Sequence, residues 1–243
     1  MTHIPRILVE APLAVGTELT LPAAKAHHLR TVLRLGAGAP LRLFNGDGRE
    51  YSACLTRAAR DQVEVVVEAA AAPLRESPLD ITLAQAIARG DRMDFAIAKA
   101  IELGVTTIQP LFTARAKVRL AGARLEKKQR HWQRVATSAA EQSGRLAPPR
   151  VAPALALDQF LQAQAESLRL VLAPSAGVHL HALEPARAIA LLVGPESGFS
   201  SKELAMAQAN GCQLLQLGPR ILRTETAGMA ALAAIQCQWG DLG

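Results

Sequence analysis

Residues 188–204 read AIALLVGPESGFSSKEL, and this stretch decides the fold. Its first six residues are apolar without alternation, the pattern of a strand covered on both faces, as in parallel sheets flanked by helices. The strand stops at Val193, and the loop Gly194-Pro195-Glu196-Ser197-Gly198 follows. A helix then opens with strong signals. Ser200 and Glu203 are spaced as a capping box, and Phe199 and Leu204 as the matching hydrophobic staple. The loop is thus held between a fixed strand end and a fixed helix start. Open α/β sheets bind ligands at such strand ends, and glycine lets a ligand come close to the backbone. The plainer reading is an ordinary strand-to-helix turn.

Residues 213–239, QLLQLGPRILRTETAGMAALAAIQCQW, repeat the grammar. A strand at 213–217 runs into Gly218-Pro219, then Arg220 and Arg223, with Thr224 as the expected helix cap. Glu225 falls in the first turn, where a carboxylate suits the helix dipole. The helix is nearly all Ala, Gly, Met, Leu and Ile, so it is expected to be buried. It reads either as a core helix or, being near the chain's end, as part of a subunit interface.

The same rhythm extends upstream. Apolar strands are expected at 79–84, 106–111 and 168–173, and helices at 92–103, 125–142 and 201–210. Strands alternating with helices argue an α/β unit with a parallel sheet. The first 70 residues differ: 6–9, 40–44, 50–57 and 62–68 are short β-type runs, and 23–33 makes a helical turn. Asn45-Gly46-Asp47-Gly48 supplies a tight turn between two of those runs. Pro73 and Pro78 interrupt any element between them, so the chain is expected to divide into 1–72, β-rich, and 73–243, α/β.

The 243 residues suit one large or two small domains, and with half of them apolar the chain can bury a core. Disordered and low-complexity chains are excluded. The net charge of +6 is unevenly placed. Residues 1–72 are near neutral and 151–243 slightly acidic, whereas 73–150 carry 14 basic and 7 acidic side chains. The densest run is Arg115, Lys117, Arg119, Arg124, Lys127, Lys128, Arg130 and Arg134. It fits a solvated helix face or a phosphate-contacting surface. With 3% aromatic residues, a many-ringed base-stacking platform is not expected.

Cys54, Cys212 and Cys237 are odd in number, widely spaced and without a CxxC pair, so neither a disulfide framework nor a zinc ribbon is expected. No leader pattern opens the chain and no apolar run reaches 18 residues, which points to a cytoplasmic protein without a membrane partner. Gly36–Gly38 and Gly46–Gly48 lack the rest of a dinucleotide fingerprint, and there is no Walker A, HExxH or GxSxG sequence. His179 and His181 have no third partner nearby, and His27-His28 shows no ligand pattern, so no metal is expected.

Five segments in order carry a resemblance to a known family: HHLRTVLRLGAGAPLRLFNGDGREY at 27–51, KAIELGVTTIQPLFTARAKV at 99–118, AAEQSGR at 139–145, LLVGPESGFSSKEL at 191–204 and LGPRILRTETAGMAAL at 217–232. With them the chain resembles, over essentially its whole length, the bacterial 16S ribosomal RNA (uracil-N3) methyltransferases. These belong to the trefoil-knotted SPOUT superfamily. The resemblance implies an α/β fold with a C-terminal knotted parallel-sheet domain and an N-terminal PUA-like, RNA-binding β-barrel. Ser197 stands where the family usually has glycine, a change that a negative φ accommodates.

The resemblance also implies S-adenosylmethionine as methyl donor. It would be held by Leu172 and Ala173, by Val193, Gly194, Pro195 and Glu196, and by Leu217, Gly218, Leu222, Thr224 and Thr226. A homodimer using the last helix is implied, with 16S RNA of the small ribosomal subunit, in an assembled particle, as partner. Uridine N3 carries a proton and is a poor nucleophile until that proton leaves. A cation such as Arg223 would steady the resulting anion, and a carboxylate such as Glu225 would take or relay the proton. Arg6, Arg30, Arg34, Arg115, Lys117 and Arg145 are the candidates for holding RNA. The alternatives are the same fold acting on another atom, such as a ribose 2′-hydroxyl, a non-enzymatic ribosome-assembly protein, or a metabolic enzyme with a phosphate-cradling loop.

Overall fold

The computed structural model describes residues 4–59, 62–116, 118, 120–163, 168–174 and 177–243. They form two compact units: Met1–Glu76 with Ala140–Pro148, and Ser77–Ala139 with Pro149–Gly243.

The first unit is a curled five-stranded sheet built from β1 (Arg6–Leu8), β2 (Glu18–Thr20), β3 (Pro40–Phe44), β4 (Glu50–Ala58) and β5 (Val63–Ala71), in the order β1-β3-β4-β5-β2. The long strands alternate buried and open positions, and Leu41, Leu43, Tyr51, Leu55, Val63 and Val65 line one core. Leu29, on the helical segment formed by α1 (Ala23–His27) and a π-turn (His28–Val32), joins that core. β2 was not foreseen: three residues of mixed burial give periodicity nothing to work on, and only pairing with β5 makes them a strand. The turn after β3 is fixed by side chains. Asn45 Oδ1 accepts from the Asp47 amide, Asp47 Oδ1 from the Arg49 amide, and the Tyr51 hydroxyl donates to Asp47 Oδ2 at 2.6 Å. The carboxylate holding that proton raises the Tyr51 phenol above its usual value, and burial adds to the shift.

The second unit contains β6 (Asp80–Ala86), α2 (Asp91–Glu102), β7 (Thr107–Phe112), α3 (Gly122–Ser143, its last residues in the first unit), β8 (Arg150–Val151), β9 (Leu155–Ala156), α4 (Leu157–Ala163), β10 (Leu168–Leu172), β11 (Ala188–Val193), α5 (Ser201–Ala209), β12 (Gln213–Leu215) and α6 (Thr224–Trp239). All of its strand pairs are parallel, in the order β12-β10-β11-β6-β7-β8, with β9 also on β7. β6 and β11 are the central pair, and five of the six residues of β11 are buried. The chain builds outward from β6 through β7 to β8, then returns to place β10, β11 and β12 on the other side. That reversal lies between β6 and β11, a topological switch point of the kind where open α/β sheets place their ligands. Pro110 sits in β7 opposite the gap between β8, which pairs residues 107 and 108, and β9, which pairs 111 and 112. A residue without an N–H is tolerable there.

α6 packs on α2 and β11. Its buried positions Thr224, Gly228, Ala231, Leu232 and Ile235 recur at helical spacing, while Met229, Ala230, Ala233 and Ala234 are half-exposed. Gln236 is fully buried yet satisfied, donating to the Leu103 carbonyl at 2.8 Å and accepting from the Ser77 hydroxyl at 2.8 Å.

Candidate functional site

At the carboxyl ends of β10, β11 and β12 lies a cleft of about 670 Å³. Its walls are Leu172 and Ala173 after β10, residues 193–199 after β11, Leu217 and Gly218 after β12, and residues 220–225 leading into α6. Ten of the eleven residues expected to hold the cofactor line this cleft. Thr226 does not: it is exposed on α6, and Ala227 takes the lining position instead. On the first turn of α6, positions 224, 225 and 227 line the cleft and 226 turns to solvent.

The glycine-bearing loop is shaped by close contact. A β-carbon on Gly194 would stand 3.1 Å from the ring and the amide of Phe199, so any larger residue there would have to push the start of α5 by a few tenths of an ångström. Gly198 turns the chain at φ +67°, its amide donating to the Pro195 carbonyl at 2.8 Å. Ser197 keeps φ out of the left-handed region, so the side chain is accommodated. The capping box on α5 is present: the Ser200 hydroxyl accepts from the Glu203 amide, and the Glu203 carboxylate accepts from the Ser200 amide at 2.7 Å. Glu203 has a further partner, the amide of Ala114 in the loop after β7, at 2.8 Å. Burial pushes this carboxyl up, but the amides of Ser200 and Ala114, the Ser200 hydroxyl and the Arg115 charge prevail, and it stays below the usual range.

Thr224 is not the cap of α6. That position belongs to Arg223, whose side chain makes no cap bond. The Thr224 hydroxyl instead donates to the Gly194 carbonyl at 2.6 Å and accepts from Gln85 Nε2 at 3.1 Å. Gln85, at the end of β6 and 1% exposed, also donates to the Ala86 carbonyl. One buried amide and one hydroxyl thereby tie β6, the 194–198 loop and α6 together beneath the cleft.

Arg223 and Glu225 both line the cleft. Arg223 is exposed, whereas Glu225 is largely covered and its Oε2 is buried without a hydrogen-bond partner among the described residues. A buried carboxylate oxygen with no donor is costly. Sequence reasoning missed Arg92, which also lines the cleft and pairs with Glu196 at 3.1 Å and Glu225 at 3.9 Å. Gln85 was missed as well. No local signal marks either one, because their partners lie more than a hundred residues away.

The RNA candidates scatter. Within the first unit Arg6 is almost covered: its guanidinium pairs with Glu50 at 2.9 Å, donates to the carbonyls of Ala140, Glu141 and Arg145, and lies over the Phe44 ring. Arg145, 4% exposed, pairs with Glu76 at 2.6 Å. Both are thus engaged inside the unit and present little charge to a phosphate, because sequence cannot distinguish a buried arginine from an exposed one. Arg30 is half-exposed and Arg34 exposed, the latter at φ 55° after the π-turn. In the second unit Arg115 is exposed and donates to the Ser197 carbonyl at 3.3 Å, and Lys117 lies outside the described residues. Arg124, Lys127, Lys128, Arg130 and Arg134 are all exposed on α3. Among the described residues no group of His, Cys, Asp or Glu has the makings of a metal site, and no helix is long and apolar enough to cross a membrane.

Together, a parallel sheet with a ligand-sized cleft at the carboxyl ends of its strands and a separate curled β unit define a two-part α/β protein. Comparison with known proteins makes this particular. Residues 75–236 match the model of an RNA methyltransferase domain, and residues 21–68 that of an RNA methyltransferase PUA domain. Ribosomal RNA small subunit methyltransferase E of Buchnera aphidicola is 33% identical over 242 residues, 99% of this chain and 98% of that protein. The structure of ribosomal RNA small subunit methyltransferase E from Neisseria gonorrhoeae, bound to S-adenosyl methionine, superposes with a TM-score of 0.93 at 39% identity, covering 99% of this chain and all of that one. A Legionella pneumophila protein solved with the bound cofactor SAM gives 0.96 at 38% identity, again covering 99% and 100%. The chain belongs to the RNA methyltransferase family that these proteins represent.

Proposed function

We propose that the protein methylates N3 of a uridine in 16S ribosomal RNA, using S-adenosylmethionine. The observation that carries this is the cleft that brings Arg223 and Glu225 together at the ends of β10, β11 and β12. Its size suits a nucleoside-sized ligand. Leu172, Leu217 and Leu222 offer apolar walls for a purine ring, and the 193–196 and 217–218 backbones, cleared of side chains at Gly194 and Gly218, offer polar groups to a sugar. When bound, S-adenosylmethionine supplies an electrophilic methyl group.

The chain's own residues do the rest. Glu225, a carboxylate on the cleft wall, accepts the N3 proton. Arg223 places its charge beside the uracil anion that forms, where an exposed guanidinium at the cleft mouth can reach an incoming base. The Gln85–Thr224–Gly194 chain fixes the loops that would hold the methyl donor, which limits the positions a base and donor can take.

RNA is held by Arg30, Arg34, Arg115 and the basic face of α3, with 1–72 as the RNA-binding domain and 73–243 as the transferase domain. The half-exposed face of α6, Met229, Ala230, Ala233 and Ala234, supports a homodimer. The knot of the SPOUT superfamily, a cytoplasmic setting and an assembled small-subunit particle as substrate belong to the same reading. Nucleoside mass spectrometry of 16S RNA from a deletion strain tests it. Loss of 3-methyluridine, restored by the gene, is expected. An unchanged 3-methyluridine level with loss of a 2′-O-methyl nucleoside would move the target to a ribose. Absence of S-adenosylmethionine binding in calorimetry would leave an assembly factor.

A further inference from the structure

Arg92 is the second residue of α2 and the place is a poor one for a cation, since the dipole of a helix favours anions in its first turn. Its neighbours there, Asp91 and Asp94, follow that preference. Arg92 instead reaches out of its helix to two carboxylates from distant segments. Its Nη1 donates to Glu196 Oε1 at 3.1 Å, and its Nε stands 3.9 Å from Glu225 Oε1. The side chain is 45% exposed, and ion pairs that open to water add little to stability. The arrangement therefore has slight value as a structural clamp. Both carboxylates it reaches line the cleft.

Only one oxygen of Glu225 faces Arg92; the other, Oε2, is the buried one that lacks a partner. A cation 3.9 Å from Oε1 biases the carboxylate's rotation and offsets its charge at the cleft wall. Glu196 and Glu225 also border the space where a uracil anion has to form, and an uncompensated pair of carboxylates would oppose it. The packing of α2 on α6 keeps Arg92 at its station. We propose that Arg92 is a positioning residue for methyl transfer that acts through Glu225, orienting its carboxylate and compensating its charge and that of Glu196. This rests on the reading of Glu225 as the proton acceptor.

The test is a double-mutant cycle on the single-turnover rate of methyl transfer to small ribosomal subunits from a strain lacking the enzyme. Arg92→Ala is expected to slow transfer by about ten- to a hundredfold, the range of a misplaced catalytic group, with S-adenosylmethionine affinity by calorimetry changed less than about threefold. Arg92→Lys should restore most of the rate, and Arg92→Gln little of it. In a Glu225→Gln background Arg92→Ala should add almost nothing. Equal slowing in both backgrounds would show that Arg92 touches RNA or cofactor directly and would overturn the proposal while leaving Glu225 in its role. Full activity of Arg92→Ala would overturn it too. If Glu225→Gln itself transfers at the wild-type rate, the reading of Glu225 fails and the proposal falls with it. A wild-type protein that transfers no methyl group at all would fail the function before either residue.

Discussion

Arg223 and Glu225 stand two residues apart at the start of α6, and between them Thr224, also on the cleft wall, commits its hydroxyl to the Gln85 and Gly194 contacts. That commitment separates the roles of the three side chains. Arg223→Ala removes an exposed charge and no contact that holds the loops, so kcat should fall about a hundredfold or more while S-adenosylmethionine affinity stays within a few-fold. Calorimetry beside single-turnover rates checks this, and an equal fall in both would assign Arg223 to structure. Much of this neighbourhood was legible in sequence. The capping box and staple at 199–204 follow from spacing alone, and so did the two strand-end loops. The third partner of Glu203, the Ala114 amide, did not, because a hydrogen bond across 89 residues leaves no periodic trace.

Among the elements, α3 carries the basic surplus. Its long outer face exposes Lys127 and Lys128 next to Arg124, Arg130 and Arg134, with Glu126 near Arg130 at 3.8 Å as a weak, screened opposition. If the face meets phosphates, Lys127→Ala with Lys128→Ala should weaken RNA binding and reduce the slope of log affinity against log salt by roughly 1.4 to 1.8. Titrations at several salt concentrations read it out, and an unchanged slope would return both lysines to a merely solvated surface. α6 shows how far composition reaches. Its small apolar residues announced burial, and the stripe 224-228-231-232-235 is buried, but composition alone did not say which side would stay half-open. A substitution on that open side, Ala233→Glu, should shift sedimentation from twice the chain's mass to once if α6 closes a dimer.

At the scale of the whole molecule each unit holds a carboxylate below its ordinary range, half-buried Glu76 in one and buried Glu203 in the other. In the first unit burial pushes Glu76 up, but its bonds to Arg145 and to the amides of Ala147 and Leu146 outweigh that. In the second the carboxylate is Glu203. A carboxyl whose folded value is depressed adds stability that is complete above its unfolded value, near 4.5, and is lost as pH falls through the folded one. Both units should therefore loosen below about pH 4. Glu76→Gln or Glu203→Gln should lower Tm at pH 7 by about 2–8 °C and shrink the difference between pH 7 and pH 3, as followed by circular dichroism.

By itself the sequence determined what local chemistry can determine: a parallel α/β unit, from unbroken apolar strands between helices, a β-rich unit before it, and two loops poised at strand ends. Turn residues, caps and periodicity act over a few positions, and all of these features are short-range. Only the tertiary structure decided which strands adjoin, and so that three loops surround one cleft. It decided that 140–148 packs with the first unit, that Arg6 and Arg145 are buried in ion pairs, and that Arg92 and Gln85 reach the site. The physical reason is common to all of these. Each depends on charges and hydrogen-bonding groups far apart in the chain that find partners only when the sheet brings them together, and no local preference records such a partner.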